Sequence, residues 1–476
     1  VKRAILILVC CGAASLAQTP GERDTSVPDG RGGRSGPSFG DPRFPTAGTI
    51  LGTFPLPLTP ASDVGIFSME YDIVRNRMWM GAQPPAGGGP NIYGIDPGTF
   101  AVVATYTIVN PVCPGNIRAY TGQVNGITVT RNGRFVINDF NGDAATVDDC
   151  AAEIDPATSA VVNAWRLDSG TCPATCAASG NTNNPRVRLD SVRDSTNIDT
   201  ATSDPGGAQT FIFCTSPAGV AGPDLHVVQL SPGCPGTWFR RSTFTPAGVL
   251  SPSGLDWDNQ TQSLWVVDRT SAGTGNSIYE FKYNRSTNVA SVVQSWPSPS
   301  ADFSIAIGVQ DDHDVANHEV WAAANQSLKI IRYDSGHAPA YVTSTPGGPG
   351  AVTVRFNGDP QDNGFVYVGV ASFAPAAFGL PLGNNRELFV NPDALFTLTL
   401  SFPNLPPTYS GFQGTLTAAG QPTPVNPPVG TVSVNLGPVG TGLPLAFAFV
   451  ALEGGAGGTA VNGISGYSAP FSVLLP

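Results

Sequence analysis

Lysine is almost missing from this chain: Lys2, Lys282 and Lys329 are the only three in 476 residues. With a net charge of -11 besides, no basic stripe exists to follow a phosphate backbone, which excludes nucleic acid as a partner. The same balance is a poor match to anionic lipid headgroups. Charged residues of both signs reach only 12%, about half the usual one in four. Beyond the first residues, no segment offers the roughly 18 uninterrupted apolar residues of a membrane span. What the chain does have is 56 Gly and 44 Pro, with 41% hydrophobic residues. That composition predicts many turns, few helices and enough apolar material for two to four domains.

Lys2-Arg3, an apolar run from Ala4 to Val9 and the small residues Ser15-Leu16-Ala17 have the order of an export signal over 1–17. Val1 reads as an initiator residue translated literally, which points to a bacterial gene. Residues 18–46 are rich in Gly, Pro, Ser, Arg and Asp and carry almost no apolar periodicity, the composition of a flexible leader. The location expected is secreted or cell-surface. Six cysteines follow the signal: Cys113, Cys150, Cys172, Cys176, Cys214 and Cys234. An even count in an exported chain argues for disulfides, and local loops favour Cys113 with Cys150, Cys172 with Cys176, and Cys214 with Cys234. A zinc site at Cys172 and Cys176 is the rival reading, without a histidine or second close pair to complete it.

The stretch Ser253–Trp296 holds four short apolar runs separated by turns, the pattern of a four-stranded antiparallel meander. Its second run, Leu264-Trp265-Val266, recurs as Met78-Trp79-Met80 and Val320-Trp321-Ala322, with Phe135 and Phe211 in the same place in two further copies. The outer run Val292–Trp296 recurs at Val102–Tyr106 and Val161–Trp165, each after a turn opened by Asp or Asn. These registers define units at about 62–110, 122–168, 185–245, 251–298 and 302–345. The third is poorly formed, with a long polar insertion before Phe211. Ile50–Phe54 resembles an outer strand able to close the ring on the last unit. The expected fold is all-β: a five- or six-bladed β-propeller over 47–349 plus a C-terminal β-sandwich over 350–476. Val352–Ser372 either adds the sixth blade or opens the sandwich. In the tail, Val352–Phe356, Phe365–Val370, Leu395–Leu400, Val432–Leu436 and Leu445–Val450 read as strands. Past Glu387 only Asp393 and Glu453 are charged.

The succession Gly-Leu-Asp-Trp-Asp, Leu-Trp-Val-Val-Asp and Ile-Tyr-Glu-Phe from Gly254 to Phe281 resembles the blades of the NHL, YVTN and gluconolactonase-like propellers. That resemblance covers about 60–345 and implies the fold; members of the group include lactonases, other hydrolases and binding proteins. The tail, with Leu380-Pro381-Leu382-Gly383 and Leu443–Phe449, is similar to a C-terminal module of secreted planctomycete-type bacterial proteins.

Lactonase-type propellers hold a divalent metal on the axis, and the register places Asp63, Asn125, Ser253 and Asp302 there. Two carboxylates and an amide suit Ca²⁺, whereas the glutamate of the catalytic pattern has no counterpart in register. Polar residues lining a solvated channel are the alternative. Asp63, Asp256 and Asp302 are the carboxylates a glycosidase reading would cast on the axis. Asp139, Asn141 and Asp143 resemble half of a calcium loop, with Cys150 where the bidentate glutamate belongs, so an ordinary Asp/Gly turn competes with Ca²⁺ as the explanation. Asp311-Asp312-His313-Asp314 and His318-Glu319 fall between first and second strands and read as a solvated turn; His226 and His337 have no carboxylate partner nearby in sequence. The function expected is exported, non-catalytic binding or surface architecture. Its partner would be a cell-surface polymer, a glycan or a protein, with self-association through the uncharged C-terminal domain. The alternative is a metal-dependent propeller hydrolase of lactonase or glycosidase type.

Overall fold

The computed structural model describes residues 47–476 apart from 57–64, 73–74, 83–88, 109–123, 131–132, 139–149, 159, 168–191, 199–208, 216–224, 234–235, 245, 250, 259–260, 262, 269–276, 285–288, 299–303, 311–317, 325–328, 338–340, 359–361, 384–385, 418–427, 454–463 and 469–470. Two compact units divide it, with the boundary between His337 and Ala338.

The first unit opens with β1 (Ile50–Pro55) and continues through five four-stranded antiparallel sheets. Blade 1 is β2 (Ile66–Asp72), β3 (Arg77–Ala82), β4 (Ile92–Ile95) and β5 (Val102–Tyr106). Blade 2 is β6 (Gly126–Val129), β7 (Phe135–Asn138), β8 (Cys150–Asp155) and β9 (Ala160–Arg166). Blade 3 is β10 (Val192–Asn197), β11 (Gln209–Thr215), β12 (Leu225–Ser231) and β13 (Thr237–Phe244). Blade 4 is β14 (Pro252–Asp258), β15 (Ser263–Asp268), β16 (Ser277–Asn284) and β17 (Val289–Pro297). Blade 5 takes β18 (Ser304–Gln310), β19 (Glu319–Ala324) and β20 (Lys329–Asp334) from the end of the unit, and its outer strand is β1. The inner strands pack in the cyclic order β2, β6, β10, β14, β18 and back to β2, so the propeller has five blades.

Apolar second strands drive this assembly. Trp79, Phe135, Phe211, Trp265 and Trp321 are all buried on β3, β7, β11, β15 and β19, the register that the repeats predict. Each ring fills the wedge between neighbouring sheets, and burying aromatics of this size dominates the energetics of such a core. Closure by β1 is antiparallel, pairing Phe54 with Ile330 and Thr53 with Ile331. An aromatic group fixes the seam: Phe54 stacks on Phe100 at 4.7 Å and meets Trp321 edge-on at 5.2 Å. Arg332 lies over the Phe100 ring at 4.6 Å while its guanidinium pairs with Glu319.

The second unit starts earlier than the repeats suggest. Its first strand, β21 (Tyr341–Pro346), pairs with β22 (Ala351–Asn357) rather than with any blade. A four-stranded sheet in the order β21-β22-β28-β26 uses β28 (Val429–Asn435) and β26 (Tyr409–Ser410). The facing sheet runs β27-β23-β29-β30, from β27 (Gln413–Thr415), β23 (Val366–Ser372), β29 (Pro444–Leu452) and β30 (Ile464–Tyr467), with β31 (Phe471–Leu474) also on β29. Phe356 stacks on Phe449 at 5.0 Å across the shared core, so the two sheets form a sandwich. On the far side of β23 and β29, Leu382, Leu388 and Val390 from the hairpin of β24 (Pro375–Gly383) and β25 (Arg386–Val390) cover Val368, Val370 and Ala448. One expected strand is a helix: Leu395–Leu400 lies in α1 (Ala394–Ser401), because Asp393 caps its start by accepting from Phe396 N at 2.9 Å. An apolar run this short has no periodicity that separates strand from helix.

Candidate functional site

Among the described residues, the axis of the propeller is a buried polar hub. Four of the five inner strands shift register near their start, between Ile66 and Ser68, Val192 and Asp194, Pro252 and Gly254, and Ser304 and Ile307. Such bulges re-aim the side chain that follows them. In β2 and β10 that side chain is Ser68 and Asp194, and the two meet across the ring at 2.7 Å. Ser68 Oγ accepts from Ile127 N of β6 at 2.9 Å, and Asp194 accepts from Leu255 N of β14 at 2.8 Å and from Ser195 N. Asp256 accepts from Val309 N of β18 at 2.6 Å and from Trp257 N at 2.7 Å, and also bonds to Glu70 of β2. These bonds tie all five inner strands together. Gly126 serves the same hub: the Asn138 amide lies where a Cβ would stand, reaching over the inner strand to accept from Ser195 Oγ at 2.9 Å.

Burial raises Asp194 well above the usual carboxylate range, against the bonds from Leu255, Ser68 and Ser195. Asp256 is pushed up to about 7 by burial, in spite of its bonds to Glu70, Val309 N and Trp257 N. Glu70 as a residue is only partly buried, but its carboxyl Oε2 is enclosed with the hub.

A second cluster lies between blades 4 and 5, where the inner strands end. Asp258 Oδ2 is 3.0 Å from His318 Nε2, and His318 Nδ1 is 2.8 Å from Ser335 Oγ. Thr261 donates to Asp258 from both its amide and its hydroxyl. Alongside, His337 Nε2 is 2.8 Å from Glu280, which also accepts from Gln294 at 2.6 Å, and the two imidazoles are 5.6 Å apart. Burial alone would raise Asp258, but the charge and hydrogen bond of His318, with His337 beyond, hold its carboxyl well below the usual range. Glu280 is likewise lowered, burial being outweighed by His337 and Lys282. Ser335, His318 and Asp258 are in the order of a nucleophile, a base and an orienting acid. All three are fully buried, however, and Ser335 Oγ also accepts from His337 N at 3.1 Å, so the chain of bonds is a clamp between blades.

The predicted residues fare unevenly. Asn125 is buried just before β6, its backbone N–H donating to Asn138 O at 3.0 Å. Ser253 is fully buried in β14 with its hydroxyl 3.5 Å from Val267 O of the adjacent strand, so it faces its own blade. Asp63, Asp302, Asp139, Asn141, Asp143, Cys113, Cys172, Cys176 and Cys234 lie outside the described residues, as do 1–17 and 18–46. Cys150 opens β8 opposite Arg166, and Cys214 is buried in the core shared by blades 3 and 4. Glu70, which the register did not bring to the axis, bonds through its carboxyl to Asp256. His318 and Glu319, expected on a solvated turn, are buried, and His337 has the partner that its sequence neighbours lack. Asp194 escaped notice because its blade is the one interrupted by an insertion.

No protein-family model matches the chain, and no curated protein matches it. Solved structures that it resembles include a quinoprotein alcohol dehydrogenase-like protein of Bacteroides thetaiotaomicron, at a TM-score of 0.26 and 10% identity over 63% of this chain and 62% of that one. The Nup133 β-propeller domain of Vanderwaltozyma polyspora gives 0.25 and 9% over 58% of this chain and 72% of that one. PorZ, a surface component of the type IX secretion system of Porphyromonas gingivalis, gives 0.27 and 11% over 86% of this chain and 51% of that one. The chain thus spans less than two thirds of the first and of PorZ. At these scores none of their activities is carried over, and the propeller rests on the ring of sheets itself.

Proposed function

We propose that this chain is an exported binding or surface-architecture protein without catalytic activity, engaging a cell-surface polymer, a glycan or a protein. Its contacts are made by the loops that join second to third strands, 83–91, 139–151, 215–225 and 269–277. The second strands β3, β7, β11 and β15 end on the side where the inner strands begin, and loops on a rigid scaffold are where recognition concentrates. One observation carries the reading: Ser68, Asp194 and Asp256 are each engaged by backbone amides of neighbouring blades, so the axial polar groups hold the ring together. The test is binding of the full chain to arrays of bacterial surface glycans and envelope polymers. Replacing 83–88 and 269–276 with Gly-Ser segments should abolish retention, and Asp194→Asn should leave it intact; the opposite pattern would overturn the proposal.

The Glu70–Asp256 pair favours a second reading. A carboxyl that keeps its proton near neutral pH is what a general acid requires, and Glu70 beside it is partly exposed. Turnover of a lactone, ester or glycoside that disappears in Asp256→Asn and in Glu70→Gln, with folding preserved, would establish the hydrolase.

A further inference from the structure

Of the exposed large apolar side chains among the described residues, Leu398, Phe402, Leu405, Val439, Leu443 and Leu474 belong to one end of the second unit. Hydrogen bonds bind the pieces of that end together. Phe402 N donates to Leu398 O, Asn435 N to Thr408 O, Leu436 N to Gly350 O, and Leu475 N to Leu443 O. The helix end, the turn at 402–409, the turn at 436–443 and the residues after β31 therefore lie together at one end of the unit. The segments 347–350, 402–409, 435–443 and 473–476 contain no Asp, Glu, Lys or Arg. Asp393, the nearest acid in the chain, is already engaged by Phe373 N and Phe396 N. Monomeric proteins rarely leave a contiguous apolar patch of this kind uncovered.

The shape of the face is specific. Pro407, Thr408, Asn435, Leu436, Val439 and Leu443 line a hollow of about 530 Å³, and Val439 among them has 90% of its surface exposed. A projecting aliphatic side chain and a hollow on the same turn can fit their own images through a two-fold axis, as an isologous contact requires. Charge selects the occupant. Two copies carry -11 each, and at this end, whose segments hold no charged side chain, they can meet without bringing side-chain charges of one sign together.

We propose that this end of the second unit is the contact face of a symmetric homodimer, with Val439 of each copy seated in the hollow of the other. The contact is independent of the propeller loops and of the reading given to them.

Sedimentation velocity of the full chain across the micromolar range tests it. The expected result is twice the monomer mass at high concentration, with dissociation at least about tenfold easier in Val439→Asp/Leu474→Asp. Because both side chains are largely exposed, the thermal midpoint measured at concentrations where the wild type is already dissociated should not move. Should Leu474→Asp disturb the pairing of β31 with β29, Val439→Asp alone gives the same reading. A single-chain mass at every concentration overturns the proposal; flotation of that monomer on neutral phosphatidylcholine vesicles would then assign the face to lipid. A dimer that the substitutions leave unchanged overturns it equally.

Discussion

Asp256 and Asp258 sit two residues apart on β14 and respond to pH in opposite senses. The folded state holds the Asp256 proton up to about pH 7. Its contribution to stability is therefore complete below the unfolded value of about 3.9 and is lost as pH rises toward 7. Asp258 and Glu280 are lowered, so their contribution is present above the ordinary carboxylate range and disappears as pH falls through their folded values. Urea midpoints measured across pH should decline between about pH 4 and 7, and Asp256→Asn should lessen that decline, leaving the part due to Asp194, without touching the acid limb. His318→Ala leaves Asp258 buried without its imidazole and should cost about 3 kcal/mol or more in the same measurement. None of this pairing is legible along the sequence. Ser68 and Asp194 are 126 residues apart and Glu280 and His337 are 57, and only closure of the ring brings them together. Asp256 could be placed near the axis because it belongs to the best-formed repeat.

At the scale of single elements, β1 has the largest consequence. It completes blade 5 from the far end of the unit, and its Phe54 stacks on Phe100, which stands at a positive φ of 58°. A bulky residue is rarely found there, so the stack with Phe54, Trp321 and Arg332 is what retains it. A double-mutant cycle on Phe54→Ala and Phe100→Ala should return a coupling of about 1 kcal/mol in thermal unfolding. The closing role of this strand was readable from its likeness to the outer runs of other blades. By contrast, β21 also reads as an outer strand, and the repeats run on to 345 for that reason. What separates the two is partner choice, since the residues of β21 find Val352 to Asn357 within a short turn while β1 must cross the whole unit. The helix α1 hid behind the same ambiguity, an apolar run whose only distinguishing mark was the Asp before it.

For the whole molecule, two units with separate cores should melt separately. Calorimetry of the full chain should show two transitions, and Asp256→Asn should displace only one of them. A single transition displaced as a whole would mean that the units unfold together. Fold class and blade repeat were legible because they depend on periodic burial, which the Trp residues of β3, β15 and β19 mark plainly. The hub and the clamp were not, because they depend on which strands become neighbours around a circle.

The order in which the chain is made adds a final consequence. β1 precedes every blade and its partner β20 comes last among the propeller strands, so throughout synthesis the first strand waits while four blades take shape beside it. Contacts this distant along the chain form late and slow the approach to the native state. A chain interrupted before Lys329 would keep both sheet edges open, and such edges invite pairing with other chains. Refolding of the intact protein should therefore show an early phase in Trp265 burial and a later one in the packing of Phe54, and a chaperone that shields open strands would act in the interval between them.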